Sequence, residues 1–245
     1  MGLALDPLPG LPEFRPGDDL AALLALARLD PPLSPGDVLV IAHKVISKAE
    51  GRVRALAGVE PGDRARALAA EHGKDPRHVQ VVLDETAELL RADHGRLICR
   101  TRHGFTCANA GVDQSNAGAP DTVVLLPEDP DGSARALRAR IGAGGVVITD
   151  SWGRPWRHGQ IEVAIGCAGL APLADWRGGE DRDGRAIAAS VTALADEVAA
   201  AADLVRGKAS GEPAVRVRGL GHAIAEEDGP GAAALVRPPE EDLFR

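Results

Sequence analysis

Two runs of consecutive apolar residues constrain this chain more than any other feature: Val38-Leu39-Val40-Ile41-Ala42, and Val146-Val147-Ile148 leading into Thr149. A strand with one wet face alternates apolar and polar side chains, whereas a run without alternation is expected where a strand is buried on both faces. That places the chain in the α/β class. At 245 residues it fits a single α/β unit or two small, interlocked subdomains.

Composition narrows the function classes. With 44% hydrophobic and 26% charged residues the chain sits near ordinary globular usage, which excludes disordered and fibrous classes. Three Trp, three Phe and no Tyr leave the core to Ala, Val, Leu and Ile, and leave few rings for stacking bases. A net charge of -8 argues against nucleic acid as a partner, because such binding needs a basic stripe that displaces counterions from phosphates. An acidic chain that handles phosphates needs a divalent metal or a few well-placed cations. Cys99, Cys107 and Cys167 form no C-x-x-C pair, which fits a reducing cytoplasm rather than a disulfide framework. The N-terminus lacks the basic and long apolar regions of a secretion signal, and no run of about 18 apolar residues would span a membrane.

Along the chain, Asp18-Asp19 caps a helix carrying Leu20, Leu23, Leu24 and Leu26, which Pro31-Pro32 ends. From Pro61 to Leu90 the spacing predicts helix, broken near Gly73-Lys74-Asp75-Pro76. Arg96 to Arg100 reads as a short strand, and Gly104 to Asn116, dense in small and polar residues, as a functional loop. Val123-Val124-Leu125-Leu126 is another apolar run; the turn after it caps a helix with Leu137 and Ile141. Residues 186 to 205 predict an Ala-rich helix, and Val215-Arg216-Val217-Arg218 alternates as a half-exposed strand before an acidic tail from His222. That tail could fold over a site or pack on a partner subunit.

The usual nucleotide fingerprints are missing. Arg206-Gly207-Lys208-Ala209-Ser210 lacks the upstream Gly and adjacent hydroxyl of a P-loop, and Gly219-Leu220-Gly221 lacks the third Gly of a dinucleotide loop. Asp113 and Asp150 each follow a strand among small polar residues. Hard oxygen ligands of this kind suit Mg or Mn on phosphate oxygens, while an Asx-turn at Asp113 and a strand-end cap at Asp150 are the commoner roles for isolated aspartates. Lys44 and Lys48 come just after a buried strand, where α/β proteins place ligands, and suit phosphate or a solvated loop. His43 and His158 could serve acid-base chemistry or sit structurally. Cys107 has no recognisable base partner for a nucleophile's role.

Several segments carry a likeness in register: Gly36-Asp37-Val38-Leu39-Val40, Val45-Ile46-Ser47-Lys48-Ala49-Glu50-Gly51-Arg52, and Asn109-Ala110-Gly111-Val112-Asp113-Gln114-Ser115-Asn116. Leu126-Pro127, Asp129-Pro130-Asp131-Gly132-Ser133-Ala134 and Ile148-Thr149-Asp150-Ser151-Trp152-Gly153-Arg154 continue it. Together they resemble the coenzyme F420:L-glutamate ligase family, from Leu11-Pro12 to Val217-Arg218-Gly219-Leu220.

The resemblance implies that family's mixed-sheet α/β fold, in two interlocked subdomains of an intertwined homodimer. Residues 1–221 would be the ligase domain and 222–245 a tail of the same unit; 245 residues leave no room for the nitroreductase-like domain that some relatives carry. It implies GTP as co-substrate with Mg2+ or Mn2+, and K+ as a further ion. By position, Leu11, Pro12, Glu13, Phe14, His43, Lys44, Lys48 and Asn116 would contact nucleotide, as would the loop Arg206, Gly207, Lys208, Ala209, Ser210 and Gly211. Asp113, Asp150 and Ser151 would hold metal. His43 stands where family members more often carry Ser, and Lys208 where some carry an acidic ligand. The implied reaction turns a carboxylate of the deazaflavin precursor F420-0 into an acyl phosphate and joins it to L-glutamate. A metal-dependent nucleotide phosphohydrolase and a GTP-binding module are the alternatives.

Overall fold

The computed structural model describes residues 2–27, 29–207 and 210–242. The strands are β1 (Ala4–Pro7), β2 (Asp37–Ala42), β3 (Val53–Ala55), β4 (Thr86–Asp93), β5 (Arg96–Thr101), β6 (Thr106–Ala108), β7 (Thr122–Val124), β8 (Gly145–Arg154), β9 (Arg157–Ala168), β10 (Ala174–Asp175), β11 (Val191–Thr192) and β12 (Ala214–Arg218). The helices are α1 (Leu20–Leu24), α2 (His43–Ala49), α3 (Asp63–His72), α4 (Pro76–Asp84), α5 (Pro130–Ile141) and α6 (Leu194–Arg206).

The main sheet runs β1-β12-β2-β8-β9, with β2 and β8 parallel and every other pair antiparallel, so the fold is α/β with a mixed sheet. Its two apolar runs behave as a strand buried on both faces must. Leu39, Ile41, Val146 and Ile148 face one side, where they pack with Leu24, Ile46 and Leu137 from α1, α2 and α5. Val38, Val40, Val147, Val215 and Val217 face the other, against Ala195, Val198, Ala199 and Ala202 of α6. Small side chains on α6 let it lie close to the sheet, and each fully buried Leu, Ile or Val contributes about 1.5–3 kcal/mol. A third core, with Leu56, Val79, Val82, Leu97, Val123 and Leu125, gathers α3, α4 and the small sheets β4-β5-β6 and β3-β7.

Several expectations change. The helix expected up to Leu90 ends at Asp84, where Arg54 and Arg52 take Asp84 and Glu85 as ion-pair partners at 2.7 Å each, and Thr86–Asp93 pairs with β5 as a strand. The Ala-rich helix begins at Leu194 rather than 186, because the preceding residues pair back on Trp176 to Asp181 as a hairpin. β9, unread in the sequence, is twelve residues long. β12 is central rather than half-exposed: Arg216 is buried with its guanidinium on Asp6 at 2.9 and 3.0 Å. Alternation there reflects an ion pair, not solvent.

The tail packs on its own chain. Asp131, in the first turn of α5, accepts from the Cys167 N–H of β9 at 2.8 Å and from Ala232 and Ala233 N–H at 2.7 and 3.2 Å. Gly231 is held at φ 78°, and a Cβ there would lie 2.3 Å from the Asp131 carboxyl. Arg138 adds a bond to Asp228 at 2.7 Å and to the Ala225 carbonyl at 2.7 Å. Replacing Asp131 by Ala leaves three backbone donors unpaired and should lower stability by about 2–4 kcal/mol. Thermal unfolding together with limited proteolysis checks this: the melting point should fall and cleavage within 222–242 should rise.

Candidate functional site

Because β2 and β8 are parallel with Ala42 beside Thr149, both strands end at the same edge, so His43 and Lys44 emerge next to Asp150 and Ser151. Antiparallel β12 brings its N-terminal end to that edge, and β1, antiparallel to β12 and so running with β2, brings its C-terminal end. Ala42 N–H bonds the Pro213 carbonyl at 2.9 Å, just ahead of β12, and Leu8 N–H bonds Ala214 O at 2.8 Å, so Leu11 to Phe14 arrive there after β1. The C-terminus of α6 supplies Arg206. A cavity of about 490 Å³ opens at this edge. Its lining includes Leu11, Pro12, Glu13, Phe14, His43, Lys44, Lys48, Asp113, Asn116, Asp150, Ser151, Arg206, Gly207 and Gly211. Ligand sites of α/β sheets occur at strand C-terminal ends for this geometric reason.

Asp150 is not a strand-end residue, since β8 continues to Arg154. Beyond Thr149 the strand has left β2, which turns into α2, and pairs with β9 alone. Alternation then sends neighbouring side chains to opposite faces. On the α2 face Asp150 lies 3.3 Å from His43 Nε2 and accepts from the Trp152 indole at 2.7 Å and the Ser151 N–H at 2.8 Å. Burial pushes its carboxyl up, but His43, Trp152 and Ser151 together hold it below the usual carboxylate range. His43 is itself buried and bonds Ser47 through Nδ1 at 3.2 Å.

On the α6 face Ser151 donates to Glu162, directly opposite on β9, and Glu162 meets the Arg206 guanidinium at 2.5 Å. Arg206 also bonds Thr149 Oγ1 at 3.2 Å. Glu162 and Arg206 are both buried. Glu162, Gln160, Thr149, Asp203 and Glu212 line the cavity and were not read from sequence; the usable signal was a lone carboxylate in Ile161-Glu162-Val163-Ala164-Ile165.

Asp113 forms the Asx-turn considered above, accepting from Ser115 N–H at 2.7 Å, and also takes the Lys44 ammonium at 2.6 Å. Burial raises its carboxyl, and Lys44 with Ser115 brings it net below the ordinary value. Lys48 pairs with Glu13. Ser210 does not line the cavity; its hydroxyl bonds the Arg206 carbonyl and accepts from Glu212 N–H at 3.1 Å, tying the loop. Lys208 and Ala209 lie outside the described residues.

Among the described residues no three His, Cys, Asp or Glu side chains gather as a metal-holding cluster. Asp113, Asp150, Ser151 and Glu162 nonetheless offer hard oxygen donors to one cavity. Mg2+ is commonly bound through one or two carboxylates plus phosphates and waters, so the donor set fits a metal arriving with a nucleotide. Charge points the same way: Glu13, Asp113, Asp150, Glu162, Asp203 and Glu212 face Lys44, Lys48 and Arg206, an acidic excess that polyphosphate alone would meet with repulsion.

The remaining candidates fall away from the cavity. His158 is exposed on β9. Cys107 is buried, with its thiol pushed up to about 12 by burial first and the charge of Asp150 second. Cys167 is likewise raised to about 12 by burial. Thiolate is the reactive species, so neither should be alkylated by iodoacetamide at pH 8 in the native protein, and both should react once it is unfolded; native labelling of Cys107 would contradict this placement.

The F420-0:Gamma-glutamyl ligase family matches residues 10–219. Among curated relatives, the coenzyme F420:L-glutamate ligase of Methanopyrus kandleri is 48% identical over 250 aligned positions, covering 99% of this chain and 98% of the relative. The protein of that name from Methanothermobacter thermautotrophicus is 44% identical over 253 positions, covering 100% of both. That from Natronomonas pharaonis is 46% identical over 250, covering 99% of this chain and 94% of the relative.

Proposed function

Because the chain belongs to the F420-0:gamma-glutamyl ligase family and is a ligase that adds glutamate in coenzyme F420 biosynthesis, we propose that the cavity at the ends of β2 and β8 activates a carboxylate of F420-0 with GTP. The observation that carries this reading is the meeting of Lys44, Lys48 and Arg206 with Asp113 and Asp150 in one cavity.

A carboxylate is a poor acyl electrophile and amide formation in water runs uphill. Its oxygen therefore attacks the γ-phosphorus of GTP, GDP leaves, and an acyl phosphate remains. The α-amine of L-glutamate then attacks the acyl carbon, phosphate departs, and the nitrogen loses a proton as the amide forms. Lys44, Lys48 and Arg206 hold phosphate oxygens, the last oriented by the buried Glu162. Asp113, Asp150 and Ser151 would hold Mg2+ or Mn2+, which supplies neutralisation of charge on the transferring phosphoryl group. Leu11 to Phe14 and Asn116, which line the same cavity, would border the nucleotide.

A homodimer is part of the proposal, supported by exposed apolar side chains on the hairpin, Trp176 at 57%, Val191 at 39% and neighbouring Leu173 at 37%. Among the described residues no helix is long and apolar enough to cross a membrane.

Mass spectrometry of F420-0 incubated with the protein, L-glutamate, GTP and Mg2+ or Mn2+ tests the reaction. Increments of one glutamyl unit should require every component, and Asp150→Ala should abolish them while circular dichroism stays that of the wild type. GTP consumed without glutamyl increments would favour a phosphohydrolase; GTP bound without turnover, a binding module.

A further inference from the structure

A second cavity of about 340 Å³ lies between the α3–α4 turn and the 109–114 loop, and Asp113 lines both it and the main cavity. Its charges are unbalanced. Asp75 is committed to capping α4 and to Arg77 at 2.6 Å, and Asp113 to Lys44 at 2.6 Å. The Lys74 side chain is half-buried in this wall, and among the described residues no carboxylate or other acceptor reaches its ammonium. Around it stand neutral polar groups: the Asn109 and Gln114 amides and the His78 imidazole, whose pKa burial and then Lys74 hold down.

The wall is rigid where it matters. Asn109, Ala110 and Gly111 take three successive left-handed conformations, at φ 53°, 52° and 74°. A Cβ on Gly111 would lie 2.6 Å from Leu126 Cγ, so the glycine is required by both backbone and space. The Asn109 Oδ1 is sheltered from solvent without a hydrogen-bond partner. Lys74 is thus left without a protein counter-ion at this wall, and an anion in the cavity would supply one.

We propose that this second cavity is the subsite for the carboxylates of the incoming L-glutamate, with Lys74 as their counter-ion and Gln114 and His78 as hydrogen-bonding neighbours. The assignment rests on the ligase reading above. In the main cavity six carboxylates face three cations, so a dicarboxylate nucleophile meets net negative charge there, whereas both carboxylates of the second cavity are already paired, with Arg77 and Lys44, and Lys74 is left over. Held beside Lys74, the nucleophile keeps its carboxylates apart from the phosphates, and its amine reaches the acyl carbon past the shared wall at Asp113.

The terminal carboxylates of an already glutamylated product carry the same chemistry, so the test uses the first addition, onto a precursor without glutamate. Steady-state kinetics of Lys74→Met, Lys74→Arg and Gln114→Ala should show KM for L-glutamate raised about tenfold or more in Lys74→Met, since a charge-assisted hydrogen bond is lost. Gln114→Ala should raise it less, and Lys74→Arg should restore most of it. KM for GTP should stay within about twofold in all three. An unchanged glutamate KM in an active Lys74→Met enzyme overturns the subsite. So does a parallel rise in GTP KM, which would make Lys74 a phosphate contact, or an effect confined to later additions, which would assign the cavity to the growing tail. Failure of the wild type to add glutamate would instead overturn the ligase reading itself.

Discussion

The parallel pairing of β2 with β8 is the constraint on which the site depends. With Ala42 in register with Thr149, two chain segments more than a hundred residues apart leave the sheet at one edge and in one direction. An antiparallel pairing would have sent His43-Lys44 and Asp150-Ser151 to opposite ends. β12, antiparallel to β2, then adds its N-terminal end and β1, running with β2, its C-terminal end, so that Leu11 to Phe14 and the loop ending at Pro213 close around the same opening. The apolar packing of both faces, on α1, α2 and α5 and on α6, holds this edge rigid.

Charge compensation is the second organising feature. Each carboxylate deep in the cavity has a partner from another element: Asp150 meets His43, Glu162 meets Arg206, and Asp113 meets Lys44. Buried charges persist only when paired and hydrogen-bonded. The pairing of Glu162 with both Ser151 and Arg206 ties the sheet to α6, so the placement of Arg206 depends on a carboxylate buried beneath the cavity. Lys74 departs from this pattern, a half-buried cation left to an outside anion.

Much was legible locally. The α1 cap at Asp19, the break at Gly73 to Pro76 with its cap at Asp75, and the cap of α5 at Asp129 all appear where short-range chemistry puts them. The Asx-turn at Asp113 does too. The misread segments share one cause, that a partner distant in sequence outweighed local preference. Thr86–Asp93 is strand because β5 lies beside it; Arg216 is buried because Asp6 is there to neutralise it; β9 forms because β8 pairs with it from Val146 to Arg154.

By itself the sequence determined the class of fold, through apolar runs that need two buried faces, and the chemical character of the site, through residues that keep their type wherever they lie. Its likeness to a family carried the candidate positions further than composition could. Tertiary structure alone decided which of those residues meet. The Lys44–Asp113 contact joins residues 69 apart, and the Arg206–Thr149 bond residues 57 apart. Such contacts follow from strand order and register, which are set by the packing of the whole chain and not by the preference of any short segment.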